Sequence, residues 1–319
     1  MNPRFGRWKK AVSTERKVDK KLYFQYILRM LQPKDVAIII VSWNVRKPLQ
    51  DCLESIFRLT QNEKPHQVIV VDNASTDGTV DMVRQQFPEV TMVANQTNVG
   101  FAAANNQGMR LSGAPAILLL NPDTLVHPGS LPAMVHAFVQ HPKAGIIGPK
   151  LLNVDGTVQP SVRRLPSATA LIAIALKIRH VWKNFPPLQR YLATDVDENA
   201  EQAVGQVMGA AFLIRRELMK AIGLLDERFY IWFEEVDYCK RAADAGWETW
   251  YVPNATITHL GGESFRQQSN LQKQRQWQKS VQRYAQKHFT YWQRLLVWKA
   301  GWLGMCLTWV ALQFSKKLL

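Results

Sequence analysis

Between Asp35 and Pro149, short apolar runs alternate with amphipathic stretches, and this rhythm constrains the fold more than any other feature of the 319-residue chain. Asp35–Ser42, Gln67–Val71, Val90–Ala94, Ala116–Leu120 and Ala144–Pro149 are short and rich in Val, Ile and Leu. Such runs read as strands of a parallel sheet covered on both faces. Lys47–Leu59, Thr79–Phe87, Gly100–Leu111 and Pro128–His141 carry helical spacing; in the first, Leu49, Leu53, Ile56 and Phe57 share one face. This alternation predicts a doubly wound α/β layer.

Beyond Pro149 the rhythm changes. Asn153–Thr157 reads as a hairpin turn, and Ala168–Trp182 as an apolar stretch that ends in basic residues. Val204–Ile214 reads as one buried strand with close backbone approach at Gly205 and Gly209. Glu217–Ile222 and Glu234–Ala245 read as helices, the second closed by Gly246. Glu248–Val252 reads as a strand.

The net charge of +15 belongs to the ends of the chain. Residues 1–34 hold ten Lys/Arg and two acids, and residues 264–319 hold ten Lys/Arg and no acid, which leaves 20 basic and 23 acidic residues between them. Basic ends suit nucleic acid or an anionic membrane surface. Trp277, Trp292, Trp298, Trp302 and Trp309 lie among Lys, Arg and Leu, a composition that favours the membrane interface. The run Ala300–Leu312 has 13 residues, against about 20 needed to span. An interfacial or re-entrant helix is therefore the first reading and a marginal span the second, with a helix packed on the domain or a sister subunit as the alternative. No helix-turn-helix, zinc or single-strand-binding pattern accompanies the charge, so no nucleic-acid partner is expected. Tyr23–Leu31 reads as a short amphipathic helix with basic flanks and not as a signal peptide, which puts the body on the cytoplasmic side of a membrane. Cys52, Cys239 and Cys306 are widely spaced and read as small buried hydrophobes.

Two runs end in carboxylates: Val68–Val71 leads to Asp72, and Ile117–Leu120 leads through Asn121-Pro122 to Asp123. Ligands of open α/β sheets gather at such strand ends. No G-x-G-x-x-G and no P-loop follows the first strand, which leads into Trp43-Asn44. Phosphate must be held another way, and a divalent cation, Mn²⁺ or Mg²⁺, on Asp123 is the natural candidate. A third acidic group follows at Glu234, Glu235 and Asp237, where acids also suit a helix N-terminus.

The segments IIIVSWN (38–44), VIVVDNASTDGT (68–79), NVGFAAANNQG (98–108), LLLNPDT (118–124), GAAFLIRRE (209–217), FEEVDYCKRAADAGW (233–247) and THLGGES (258–264) together resemble the family 2 inverting glycosyltransferases of the GT-A fold, most of all the bacterial rhamnosyltransferase type. The resemblance covers about residues 35–264. It implies a Rossmann-like mixed sheet flanked by helices, with a nucleotide-sugar-binding part at 35–150 and an acceptor-binding part at 151–264. Charge and Trp content add a basic amphipathic extension at 1–34 and basic, Trp-rich, membrane-interfacial helices at 265–319 on either side of it. The donor would be a nucleotide-diphospho-sugar, with dTDP-rhamnose among the candidates, and the acceptor a glycan or lipid-linked hydroxyl. The resemblance assigns Ser42, Asn44, Asp72, Asn73, Asp77, Asn98, Gly100, Asn121 and Asp123 to the donor, with Asp72 at the base. Asp123 and His259 would hold the metal, and Glu235, or Glu234 beside it, would be the general base. Rival readings are a membrane scaffold that keeps the fold without activity and a sugar nucleotidyltransferase.

Overall fold

The structure, a computed structural model, describes residues 31–59, 61–262 and 269–315. The expected helix at Tyr23–Leu31 lies outside them except for Leu31, as does the boundary expected at 264/265.

Among the described residues, twelve strands and ten α-helices follow one another. β1 (Val36–Ser42), α1 (Arg46–Phe57), β2 (Gln67–Asp72), α2 (Thr79–Gln86), β3 (Thr91–Ala94), α3 (Phe101–Leu111), β4 (Ala116–Leu120), β5 (Thr124–Val126), α4 (Ser130–Gln140) and β6 (Ala144–Leu152) make the alternating half. β7 (Val158–Gln159), β8 (Val162–Arg163), α5 (Ala168–Ala175), α6 (Pro186–Leu192), β9 (Gln202–Val204), β10 (Gln206–Val207), β11 (Ala211–Arg215), α7 (Arg216–Ile222), α8 (Glu234–Asp244), β12 (Glu248–His259), α9 (Asn270–His288) and α10 (Tyr291–Ser315) complete the chain.

The main sheet runs β3-β2-β1-β4-β11-β6-β12-β5, with β7 paired to β6 and β9 to β12. β1 to β4 are parallel neighbours, and β11 is inserted antiparallel between β4 and β6. The sheet is thus mixed. Its strands are apolar throughout because both faces are covered. Ile38 and Ile40 of β1 meet Leu49, Leu53 and Ile56 of α1 in one core layer, and Ile39 and Val41 join Ala102 and Met109 of α3 in the other.

The stretch read as one strand from Val204 to Ile214 is broken. β9 pairs with β12, β10 leaves to pair with β8, and only Ala211–Arg215 enters the sheet centre. The break falls at Gly205, where a Cβ would come within 2.7 Å of the Arg164 backbone. Gly209 is not such a contact; a Cβ there would meet only the Glu235 side chain, at 3.6 Å. The Asn153–Thr157 turn forms as read, with Asn153 N–H donating to Thr157 O at 2.8 Å.

A third core cluster lies outside the sheet. Phe233 and Val236 at the start of α8 pack with Leu171 of α5, with Val281, Tyr284 and Ala285 of α9, and with Val297 of α10. The C-terminal helices therefore wall in α8. Among the described residues no helix is long and apolar enough to cross a membrane. Cys52 and Cys239 are buried, and burial pushes both thiols up to about 12. Cys306 differs from its reading and is exposed.

Candidate active site

The carboxyl ends of β1, β2 and β4 point the same way. Ser42 pairs with Asp72 at the ends of β1 and β2, and β4 releases Asn121-Pro122-Asp123 beside them. β11 enters antiparallel, so its first residues flank the exit of β4, and Asn121 N–H donates to Ala210 O at 2.9 Å. The far end of β12 closes the group: His259 opposes Thr124, and Leu260 N–H donates to Asp123 O at 2.9 Å.

A cavity of about 440 Å³ opens there. Its walls include Ser42, Asn73, Asn98, Gly100, Asn121, Asp123, Glu234, Glu235 and His259, so nine of the residues singled out in the sequence come together from six separate segments. Gly100 is required: its φ is +90°, and a Cβ would come within 2.8 Å of Tyr230.

Asn44, Asp72 and Asp77 were expected to face the donor but do not line this cavity. Asp72 is buried and turned into its own loop, where it accepts from Ser42 Oγ at 2.9 Å, Ser75 N–H at 2.7 Å and Ser75 Oγ at 2.5 Å. Asn44 Oδ1 accepts from Thr76 N–H at 2.7 Å. Asp77 takes the free N–H groups at two helix starts, Arg46 at 2.9 Å and Thr79 at 3.1 Å. Burial works to raise the Asp77 pKa, but the bonds from Thr79 and Arg46 outweigh it and hold the carboxyl below its usual value. These three residues shape the loops on which Ser42 and Asn73 stand.

On one wall, Asp123 Oδ1 and His259 Nε2 are 3.4 Å apart, and Asn121 Nδ2 is 3.4 Å from the same nitrogen. His259 Nδ1 lies 2.7 Å from Gln159 Oε1. Because an amide oxygen only accepts, Nδ1–H donates to Gln159, and Nε2 is the nitrogen turned toward Asp123. A hydrogen bond of this kind to the far ring nitrogen sets the ring of a metal-binding histidine. Asp123 and His259 thus fit a hard divalent cation that takes its remaining ligands from substrate oxygens and water. Among the described residues no group of three or more His, Cys, Asp or Glu could hold an ion unaided. Sequence reasoning missed Gln159; a lone Gln after a hairpin carries no signal.

On the facing wall, α8 begins with Glu234 and Glu235. Each has a buried Oε2 without a hydrogen-bond partner. Burial raises both carboxyls above their usual range, and in Glu234 the charge of Glu235 adds to it. The backbone that delivers them is strained: Trp232 and Phe233 have φ of +62° and +70°, at about 1–3 kcal/mol each. The strain is held by α9. Ser280 Oγ donates to Ile231 O at 2.7 Å, and the Phe233 ring centroid stands 5.5 Å from that of Tyr284. One turn along α8, fully buried Asp237 accepts from Arg241 Nε at 2.8 Å, Lys287 Nζ at 2.9 Å and His288 Nε2 at 2.7 Å. Two adjacent acids, each with a buried oxygen left without a partner, in one cavity with a carboxylate–imidazole pair point to a chemical site, since buried polar atoms of a structural pair are ordinarily satisfied.

The family model described as "Glycosyltransferase like family 2" matches residues 33–280. The chain belongs to this family. It is a glycosyltransferase, and its mixed α/β architecture is the GT-A fold. The chain is 31% identical over 235 residues, 70% of its length, to an N-acetylglucosaminyl-diphospho-decaprenol L-rhamnosyltransferase of Mycobacterium tuberculosis, of which the match covers 75%. It shares its fold with GalNAc-T7 crystallised with UDP, GalNAc and Mn²⁺ (TM-score 0.53, 14% identity, 70% of this chain and 43% of that one). It shares it also with the mannosyltransferase PcManGT from Pyrobaculum calidifontis in complex with GDP-Man and Mn²⁺ (TM-score 0.50, 14% identity, 91% of this chain and 82% of that one). This glycosyltransferase matches its family across both walls of the cavity and into α9.

Proposed function

We propose that this glycosyltransferase moves a sugar, with inversion, from a nucleotide-diphospho-sugar to a hydroxyl of a lipid-linked glycan at the cytoplasmic face of a membrane. The observation that carries the reading is a pair of acids, Glu234 and Glu235, each with one buried carboxyl oxygen that has no hydrogen-bond partner, in one cavity with Asp123 and His259. The rhamnosyltransferase relative makes dTDP-rhamnose the first donor to try.

Asp123 and His259 would hold a divalent cation, Mn²⁺ or Mg²⁺, whose chemistry is to take up charge on the departing nucleoside diphosphate. Mn²⁺ in the two related structures supports this choice. Ser42, Asn73, Asn98, Gly100 and Asn121 line the donor side. Glu235 accepts the proton of the acceptor hydroxyl. That oxygen bonds to the anomeric carbon as the bond from this carbon to the diphosphate oxygen breaks, and one displacement inverts the centre. Glu235 takes this role because it lies against Gly209 in the cavity wall and is part-exposed, whereas Glu234, which also lines the cavity, is 5% exposed. Burial raises the Glu235 carboxyl, which favours its taking up a proton.

A broad apolar face on α10 supports the membrane setting: Trp292, Leu296, Trp298, Trp302 and Leu303 are each about half exposed or more, with Arg294 and Lys299 among them. Anionic lipid is the occupant that fits both characters.

The test is a donor panel of UDP- and dTDP-sugars with Mn²⁺ or Mg²⁺, scored by nucleotide release. Asp123→Ala should abolish cation-dependent donor binding, and Glu235→Gln should keep binding and lose turnover. Release by no donor, or full turnover in Glu235→Gln, would refute the reading.

A further inference from the structure

Arg163 and Arg164 stand side by side at β8 in unlike surroundings. Arg164 is committed: its two terminal nitrogens donate to the two Asp195 oxygens at 2.7 Å each. Arg163 is partly buried, and among the described residues no carboxylate faces it. Its Nη1 donates to the carbonyl of Val162, one residue back, at 2.7 Å. The groups in electrostatic reach are the Tyr191 phenol and a second cation, Arg179. A partly buried cation beside a like charge is half of an ion pair.

Arg163 lines a neighbouring cavity with Arg164 and Gly205, and its strand partner leads from there to the wall of the site cavity. Arg163 opposes Gln206 in the β8–β10 pair. Gln206 is 5% exposed, and its Oε1 has no hydrogen-bond partner. Two residues on, Met208 and Gly209 form the cavity wall against which Glu235 lies, and Met208 N–H is fixed to Ser161 O at 2.8 Å. Tyr191, whose carbonyl accepts from Arg164 N–H at 3.0 Å, has its phenol beside Gln206 and in the fields of both Arg163 and Glu235.

On its other side the cluster leads outward. Arg179 belongs to the turn after α5, whose tip exposes Val181 (92%) and Trp182 (55%) between Lys177 and Lys183. The turn follows directly on Ala175, against whose carbonyl the Gly304 backbone of α10 rests. Trp302 and Leu303, exposed on α10, are the neighbours of Gly304 in sequence. Both the tip and α10 offer apolar rings and cationic neighbours, the character of an interfacial surface.

We propose that Arg163, with Arg179 and the Tyr191 hydroxyl, forms an anion subsite for the diphosphate of a lipid-linked acceptor, set between the membrane-facing tip and Glu235. The assignment rests on the reading of the acceptor given above. An arginine fork and a phenol suit phosphate oxygens, and this position leaves the acceptor sugar at Glu235 with its lipid outward.

The test compares two acceptors that carry the same sugar: N-acetylglucosamine linked through diphosphate to a short polyprenol, and octyl N-acetylglucosaminide without phosphate. Arg163→Gln should raise KM for the diphosphate acceptor about tenfold or more. It should leave KM for the donor, KM for the octyl glycoside and the melting temperature within error, and Arg163→Lys should recover part of the loss. An unchanged KM for the diphosphate acceptor, an equal rise for both acceptors, or a rise for the donor instead would overturn the subsite. If the wild-type protein transfers to the diphosphate acceptor and Arg163→Gln matches it, only the subsite falls. If the wild type uses neither acceptor, the reading of the acceptor falls and the subsite with it.

Discussion

At the scale of single residues, the two acids at the start of α8 set the behaviour of the site. Burial raises both carboxyls, so each binds its proton more tightly in the folded protein than in the unfolded chain. Their contribution to stability is thus most favourable below the unfolded pKa, near 4.3, and is lost as pH rises through the raised folded pKa. Glu234→Gln removes one buried charge, so it should raise Tm at pH 7.5, and the gain should vanish near pH 4, where both acids are protonated in either state. Matched melting curves at the two pH values check this. Glu235→Gln should lower kcat by about 10²–10⁴-fold, the usual worth of a general base, while nucleotide binding stays intact. That Asp123, Glu234 and Glu235 stand at one cavity was legible in the sequence because their motifs put carboxylates at a strand end or a helix start, and His259 came from the family resemblance. Gln159 and Ser75 were not legible, since a single polar residue in a loop shows no periodicity. The loop bonds of Asp72 and Asp77 were not legible either: a carboxylate at a strand end looks the same whether it meets a ligand or a backbone N–H.

At the scale of elements, α9 is the piece the sequence disguised. Its lysines and arginines suggested a separate membrane extension, yet Trp277, Val281, Tyr284 and Ala285, spaced i, i+4, i+7 and i+8, turn one stripe toward α8. The stripe is interrupted by enough charge to be missed by composition. It is joined to α8 by Asp237, fully buried among Arg241, Lys287 and His288. Burial alone would raise this carboxyl, and the three partners together hold it below its usual value. The stability it contributes is present above the unfolded pKa and lost as pH falls through the folded one. Asp237→Asn removes a fully buried carboxylate from Arg241, Lys287 and His288 and should cost roughly 3–5 kcal/mol in urea unfolding at pH 7. It should lower kcat as well, because the strained turn at Trp232 and Phe233 loses its support. A second contact fixes α10. A Cβ on Gly304 would reach within 2.1 Å of Ala175 O, so Gly304→Val should push α10 off α5 and lower stability by about 1–3 kcal/mol.

At the scale of the whole molecule, strand identity was readable and strand order was not. Apolar period fixes where strands lie, but the insertion of β11 between β4 and β6 joins segments about ninety residues apart that no local pattern links. That insertion puts the Met208–Ala210 wall opposite Asp123, and the rest of the molecule carries the resulting cavity to a surface. The exposed face of α10 should hold the protein on vesicles of anionic lipid. Trp298→Ser with Trp302→Ser and Leu303→Ser should lower flotation with phosphatidylglycerol vesicles, and salt should lower what remains. Unchanged flotation would remove the membrane from the account. Truncation before α9 is no substitute, because it strips the wall from α8. The central claim is that Asp123 and His259 hold the donor's diphosphate through a cation while Glu235 faces the sugar from across the cavity. A crystal structure of the protein with dTDP or UDP and Mn²⁺ tests it most directly. The account predicts an anomalous peak bound by the Asp123 carboxylate, His259 Nε2 and diphosphate oxygens, with the Glu235 carboxylate on the opposite wall of the same cavity. A peak elsewhere, or a nucleotide bound away from Asp123, would contradict it.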